Sequence, residues 1–270
     1  FLGSNILSID QFNRKDIDLI FKTADSLFPF ASRQKITRVL QGAILSNMFF
    51  EPSTRTRISF GSAFNLLGGE VRETTEIEAT SLSKGESLYD TSRVLSGYSD
   101  VIVMRHPLAG SVAEFAEASR VPVINGGDGD NEHPSQALLD LFTIKKELES
   151  HNKEIDTARI ALIGDLKFGR AAHSLCKILM LYTNISIKLV SPDKLKLPDF
   201  LISEFEKKNI SILETQDIKE GIADVDIIYM TRIQEERFDN VSEANKYKGL
   251  MSLKQEIYTK NCEPNTVIMH

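Results

Sequence analysis

Five consecutive residues, Ser53-Thr54-Arg55-Thr56-Arg57, bring three hydroxyls and two guanidinium groups together. They follow the apolar run Ala43-Ile44-Leu45-Ser46-Asn47-Met48-Phe49, which reads as a strand. They lead into a segment with Phe60, Ala63, Phe64 and Leu67 at helical spacing, stopped by Gly68-Gly69. The cluster therefore falls at a strand-to-helix turn, where the first backbone N–H groups of the helix lack partners and its dipole is positive. Such a turn is an anion site. Arginine suits it because the planar guanidinium gives paired hydrogen bonds to phosphate oxygens. The chain has neither a G-x-x-x-x-G-K loop nor a G-x-G-x-x-G fingerprint, so nucleoside-triphosphate and dinucleotide motifs do not account for the cluster. Side chains three apart share a helical face, so not all five can face one anion. Arg57 is left for a structural pairing, with Glu51 as the partner at hand.

Other clusters repeat the pattern. Met104-Arg105-His106-Pro107 closes the strand Val101-Ile102-Val103-Met104, and strand carboxyl ends are where open α/β sheets place ligands. His106 reads as a packed or capping histidine. The run from Gly126 to Gln136 is glycine-rich and polar, a loop that closes onto a helix opening at Pro134 and carries His133 and Gln136 to its end. In the second half, Gly164-Asp165-Leu166-Lys167-Phe168-Gly169-Arg170 sets Arg170 at another strand-to-helix turn, within reach of a carboxylate. Met230-Thr231-Arg232-Ile233-Gln234 follows a further strand. A single arginine of this kind is more often half of a structural ion pair; several at equivalent strand ends point to a bound anionic substrate.

These residues need a scaffold that delivers strand ends repeatedly. Short apolar runs alternate with helical periodicity, which argues for parallel sheets with crossover helices. At 270 residues the chain suits two α/β domains rather than one core. Strands are expected at 43–49, 101–104, 121–124, 159–163, 186–190, 210–213, 226–230 and 266–269, with helices from Pro134 and from about Arg170 to Tyr182. The expected fold is two doubly wound parallel-sheet domains, with the active site in the cleft between them. The expected bounds are 1–134 for the first domain, 135–151 for a connecting helix and 152–270 for the second domain. Because the last strand is followed at once by the chain end at His270, a closing C-terminal segment is expected beyond it; the start at Phe1 suggests trimming there too.

Composition narrows the partners. A hydrophobic fraction of 41% with 26% charged residues is that of a soluble globular protein. No apolar run approaches the roughly 18 residues that span a bilayer, and the first residues carry no secretory signal pattern. The net charge of −6 argues against a general nucleic-acid surface, and means that any anion site must concentrate its arginines locally. The two cysteines, Cys176 and Cys262, form no C-x-x-C pair, so no zinc site or disulfide framework is expected, and a reduced cytoplasmic compartment fits.

The run Phe49-Phe50-Glu51-Pro52-Ser53-Thr54-Arg55-Thr56-Arg57 resembles the carbamoyl-phosphate signature of the aspartate/ornithine carbamoyltransferase family, and His133-Pro134-x-Gln136-x-Leu138-Leu139-Asp140 resembles its His-Pro-x-Gln element. The resemblance extends over essentially the whole chain. It implies Ser53, Thr54, Arg55 and Thr56 as phosphate ligands, joined by Arg105, with His133 on the carbamoyl carbonyl and Gln136 on its NH₂. The segments Gly164–Arg170 and Met230–Arg237 resemble the aspartate branch, and the Ser-Met-Gly loop of the ornithine branch is not apparent. By this resemblance Arg170, Arg232, Gln234 and Lys84 would bind L-aspartate. Thr80-Ser81-Leu82-Ser83-Lys84-Gly85-Glu86 is similar to a loop that reaches into the neighbouring subunit's site, where Lys84 and Ser81, or alternatively Ser83, would touch substrate. That loop is one residue shorter than the common pattern and has one lysine rather than two.

The activity so implied is transfer of the carbamoyl group from carbamoyl phosphate to the amine of L-aspartate, in pyrimidine biosynthesis. It would run in a homotrimer with shared sites, to which regulatory chains could attach. The chemistry needs no metal, cofactor or covalent intermediate; Arg55, Thr56, Arg105 and His133 are the residues expected to carry it. The rival readings are another amine acceptor, such as ornithine, and a non-catalytic phosphate-binding or assembly homologue.

Overall fold

The computed structural model describes residues 1–75, 84–238 and 240–270. The chain divides into two compact units, Phe1–Ser135 and Gln136–His270. Each is built on its own parallel sheet.

The first unit opens with α1 (Arg14–Ala31), started by a reciprocal cap in which Asn13 accepts from the N–H groups of Lys15 and Asp16 while Asp16 accepts from that of Asn13. There follow β1 (Ile44–Phe49), α2 (Thr54–Leu66), β2 (Glu70–Thr74), α3 (Leu88–Leu95), β3 (Val101–His106), α4 (Ser111–Ala118) and β4 (Val123–Asp128). The strands are all parallel, in the order β2-β1-β3-β4. Alternate residues of the central strands serve opposite faces. Met48, Ile102 and Met104 pack with Val112 and Phe115 of α4, while Leu45, Phe49 and Val103 pack with Phe60 and Phe64 of α2. Helices on both faces are why these strands read as nearly continuous apolar runs.

Two strands depart from the sequence expectation. The edge strand β2 is polar and mostly exposed, with Arg72 paired to Glu70, so it offers no apolar run to detect. The strand expected at 121–124 instead begins at Val123 and runs on through Asn125-Gly126-Gly127-Asp128, whose composition reads as loop. The N-terminal segment supplies the missing backbone partners: Ile6 donates to the Val123 carbonyl and accepts from Asn125 N–H along the outer edge of β4.

The helix α5 (Pro134–Ser150) runs without a break from the end of the first unit into the second. The second unit then contains β5 (Arg159–Ile163), α6 (Arg170–Leu179), β6 (Ser186–Val190), α7 (Asp199–Lys207), β7 (Ser211–Thr215), α8 (Ile218–Ile222), β8 (Ile227–Met230), α9 (Val241–Asn245), α10 (Gln255–Asn261) and β9 (Val267–Met269). Its five strands are parallel, in the order β7-β6-β5-β8-β9. Ala161, Ile163, Val190, Ile222, Val225 and Ile228 form one core cluster, and Cys176 lies fully buried in α6. The buried Asp226 accepts from Lys153 Nζ at 2.6 Å, Arg159 Nη2 at 2.9 Å and Arg159 N at 2.9 Å, which ties the starts of β5 and β8 together.

In each sheet the strand order reverses once, between β1 and β3 in the first and between β5 and β8 in the second. Open α/β sheets leave a crevice for ligands outside the carboxyl ends of the strands at such a reversal.

Candidate active site

The Ser53–Arg57 turn lies at the carboxyl end of β1, at the reversal point of the first sheet. Phe50 N–H donates to the Arg105 carbonyl at 2.9 Å, so the chain leaves the sheet only after Phe50. Ser53 is extended (φ −159°) at the N-cap position of α2 and makes no capping hydrogen bond with its side chain. The first turn, Thr54-Arg55-Thr56, contains no acidic residue, and Thr54 and Arg55 are exposed. Among the described residues no carboxylate pairs with Arg55. Unpaired first-turn N–H groups, a positive helix end and an exposed guanidinium meet there.

Arg105 stands on β3, the neighbouring strand. Its Nε is 2.9 Å from Glu51 Oε2, with only 12% and 19% of the two side chains exposed, and its Nη1 donates to the Gly126 carbonyl at 3.4 Å. Glu51 therefore orients Arg105. The pairing of Glu51 with Arg57 expected from sequence does not form; Arg57 sits 3.7 Å from Glu73, whose strand β2 the sequence did not reveal. His106 is buried, packs edge-on against Phe50, and its Nδ1 accepts from Leu108 N–H at 3.1 Å. Burial pushes its imidazole below the ordinary value, so it adds no cation at neutral pH.

The glycine-rich segment is held by carboxylates. Asp128 accepts from Asn125 Nδ2, Glu132 N, Gly110 N and Asn131 Nδ2 at 2.9–3.1 Å. Glu132, also buried, accepts from Ser8 Oγ at 2.9 Å and Ile9 N at 3.4 Å. The next residue, His133, is 5% exposed, with Ser135 Oγ 3.3 Å from its Nδ1. Gln136, half-buried at the start of α5, donates from Nε2 to Asp140 at 2.9 Å.

The second unit places its arginines at its own reversal point. Gly164 ends β5 with φ +120°, and a Cβ there would lie 2.4 Å from the Thr231 carbonyl, so only glycine lets β5 and β8 end this close. Asp165 follows, fully buried. Its Oδ1 accepts from Phe168 N at 3.0 Å and its Oδ2 from Gln234 N at 3.0 Å. Burial pushes its carboxyl up, and those N–H bonds pull it back. One side chain thus gathers the turn that carries Arg170 and the segment that carries Arg232 and Gln234. Arg170 is half-buried at the first position of α6. Arg232 is exposed and engages Glu236, four residues on, through both terminal nitrogens, Nη1 to Oε2 at 2.9 Å and Nη2 to Oε1. Gln234 Nε2 donates to the Arg232 carbonyl at 3.5 Å.

Lys84 is exposed; Ser81 and Ser83 lie outside the described residues. Glu51, Asp165 and Glu236 hold the arginines or the segments that carry them, a role that sequence reasoning does not assign to them. Their only signal is adjacency to an arginine motif, and a carboxylate that orients an arginine looks in sequence like any surface acid. Among the described residues no group of His, Cys, Asp and Glu side chains is arranged to hold a metal ion, and no helix is long and apolar enough to cross a membrane.

Two parallel sheets, each with arginines and hydroxyls or amides near its point of reversal, make this an α/β protein with candidate anion sites at its strand ends. Residues 4–146 match the aspartate/ornithine carbamoyltransferase carbamoyl-P binding domain, and residues 156–270 match the Asp/Orn binding domain of the same enzymes. The chain belongs to the aspartate/ornithine carbamoyltransferase family. It is 64% identical over 270 residues to the aspartate carbamoyltransferase catalytic subunit of Cellvibrio japonicus, covering 100% of this chain and 80% of that one. It is 62% identical, with the same coverage, to the catalytic subunit of Saccharophagus degradans. Among solved structures, the catalytic subunit of M. jannaschii aspartate transcarbamoylase superposes with a TM-score of 0.88 at 42% identity, covering 99% of this chain and 85% of that one. The Trypanosoma cruzi aspartate transcarbamoylase in complex with carbamoyl phosphate and aspartate does so with a TM-score of 0.90 at 37% identity, covering 99% and 85%.

Proposed function

We propose that this chain is an aspartate carbamoyltransferase: it moves the carbamoyl group of carbamoyl phosphate to the amine of L-aspartate, giving N-carbamoyl-L-aspartate and phosphate, a step of pyrimidine biosynthesis. The observation that carries the reading is the presence of separate arginine-bearing strand ends at the reversal points of both sheets, Arg55 and Arg105 in one and Arg170 and Arg232 in the other. A phosphorylated donor and a dicarboxylic acceptor together call for that many guanidinium groups; the distal ammonium of ornithine would call for an anion instead.

Ser53, Thr54, Arg55 and Thr56 hold the phosphate with the first-turn N–H groups of α2. Arg105, oriented by Glu51, joins Thr56 and His133 on the carbamoyl oxygen, and Gln136 receives the carbamoyl NH₂. Arg170, Arg232 and Lys84 clamp the carboxylates of aspartate, with Gln234 beside them. The amine attacks the carbonyl carbon, the tetrahedral intermediate develops negative charge on oxygen, and the C–O bond to phosphate breaks. The leaving phosphate takes the amine proton. Catalysis rests on positioning two anions face to face and on stabilising the oxyanion, where each donor is worth on the order of 10²–10³ in rate.

The enzyme works as a cytoplasmic homotrimer in which Lys84 and Ser81 serve the neighbouring subunit's site, and regulatory chains could attach to such a trimer. Incubation with carbamoyl phosphate and a panel of amino acids tests the reading: carbamoyl-aspartate and phosphate should form in equal amounts. Carbamoylation of another amine in preference to aspartate, or no turnover, would overturn it.

A further inference from the structure

In the second unit a buried pair stands behind Gln136. Asp140, one helical turn along α5, is 4% exposed, and Tyr229, on β8, is 3% exposed. Tyr229 Oη donates to Asp140 Oδ2 at 2.8 Å, and Gln136 Nε2 donates to Asp140 Oδ1 at 2.9 Å. Burial pushes the Asp140 carboxyl up and the two donors pull it back; burial, and then the Asp140 charge, push the Tyr229 phenol up, so it stays a donor.

A side-chain amide has two ends that sterics alone barely distinguish, an acceptor oxygen and a donor NH₂. An ionised carboxylate only accepts. With one oxygen taken by a phenol that donates, the other can receive only the NH₂ end of Gln136. The amide carbonyl Oε1 is thereby turned the other way, and among the described residues no donor is bonded to it.

We infer that Tyr229 and Asp140 are positioning residues that set the polarity of Gln136, so that the site presents an acceptor to the donor substrate and selects a group bearing NH₂ over an isosteric methyl. The inference rests on the proposal that Gln136 faces the carbamoyl group.

The substitution Asp140→Asn makes the logic testable, because an amide offers a donor as well as an acceptor, and the Tyr229 hydroxyl can donate or accept, so nothing then fixes which end of Gln136 faces residue 140. Whenever the new NH₂ faces Gln136, Gln136 flips and presents its own NH₂ to that of the substrate. Tyr229→Phe alone keeps the carboxylate, which still accepts only the NH₂ end of Gln136.

The experiment measures the KM of carbamoyl phosphate, and the inhibition constant of acetyl phosphate, which carries CH₃ in place of NH₂. Both are determined for the wild type, for each single variant and for the double variant, with thermal melting of each as a check of folding. Asp140→Asn should raise the KM for carbamoyl phosphate by about 3-fold or more, because Gln136 now also presents its NH₂ end, while acetyl phosphate binding stays within about 2-fold. Tyr229→Phe alone should cost about 2-fold or less, and the double variant should lose selectivity as Asp140→Asn does. A structural role predicts instead that both ligands weaken together in every variant; that result overturns the inference. So does failure of the variants to fold, since a pair needed only for the core sets no polarity. If the wild type itself turns over no carbamoyl phosphate with aspartate, the proposed function fails; a working wild type with variants that show no such selectivity defeats only this inference.

Discussion

Replacement of Asp165 should damage aspartate binding selectively, although this side chain is fully buried. Its two oxygens hold Phe168 N and Gln234 N at 3.0 Å each, and these are the anchors of the segments bearing Arg170 and Arg232. A hydrogen bond to a charged group contributes about 1.5–3 kcal/mol. Asp165→Asn keeps the shape and one acceptor but sets an NH₂ against the other N–H, so it should cost about 1.5–3 kcal/mol, or roughly 10- to 100-fold in kcat/KM for aspartate. Asp165→Ala loses both anchors, for about 3–6 kcal/mol shared between fold stability and activity. Steady-state kinetics separate the effects: aspartate is varied at saturating carbamoyl phosphate, then the reverse, with a urea unfolding curve for each variant. The reasoning requires that the KM for aspartate rise at least about 10-fold while that for carbamoyl phosphate moves less than about 3-fold, because the phosphate turn belongs to the other sheet. An unchanged aspartate KM in the alanine variant, or equal loss for both substrates in a well-folded one, would refute it.

Arg55→Ala removes the exposed cation of the phosphate turn and should lower kcat/KM by about 10³-fold or more with an unshifted melting temperature; near-normal turnover would take the phosphate role away from this turn. Mixing an inactive Lys84→Ala chain with an inactive Arg105→Ala chain should restore part of the activity through hybrid oligomers, whereas no recovery after confirmed subunit exchange would argue against a shared site. For Asp226, burial pushes the carboxyl up, but hydrogen bonds from Arg159 and Lys153 outweigh it and bring the group from 3.8 to about 2. A carboxyl lowered on folding stabilises the protein above its unfolded pKa, and that contribution, about 2 kcal/mol here, is lost as the pH falls toward the folded pKa. The stability gap between wild type and Asp226→Asn should therefore narrow between about pH 4 and about pH 2; a gap that stays constant with pH would show that the ion pair is not its source.

The parts of this fold that were legible in the sequence are those whose cause is local. The central strands β1, β3 and β5 are buried along most of their length, so each is a largely apolar run. The Ser53–Arg57 cluster is legible for a similar reason: strand, turn and helix start all fall within one short stretch. The illegible parts depend on partners distant in sequence. The outer edge of β4 is paired by Ile6, which lets Asn125-Gly126-Gly127-Asp128 be a strand. Glu51 turns to Arg105 because β3 lies beside β1, and Arg57 turns to Glu73 because a polar edge strand lies on the other side. No spacing rule reveals that Asp165 ties two loops separated by nearly seventy residues, since only the adjacency of β5 and β8 brings Gln234 to it.

The central claim is that guanidinium groups from both sheets serve one pair of substrates. A crystal structure of the protein with a bisubstrate mimic, a phosphonate joined to an aspartate moiety, tests it most directly. The account predicts the phosphonate on Ser53, Thr54, Arg55, Thr56 and Arg105, and the two carboxylates of the same molecule on Arg170, Arg232 and the Lys84 of a neighbouring subunit. A mimic bound through one of these sets alone, with its other end on residues outside both, would contradict it.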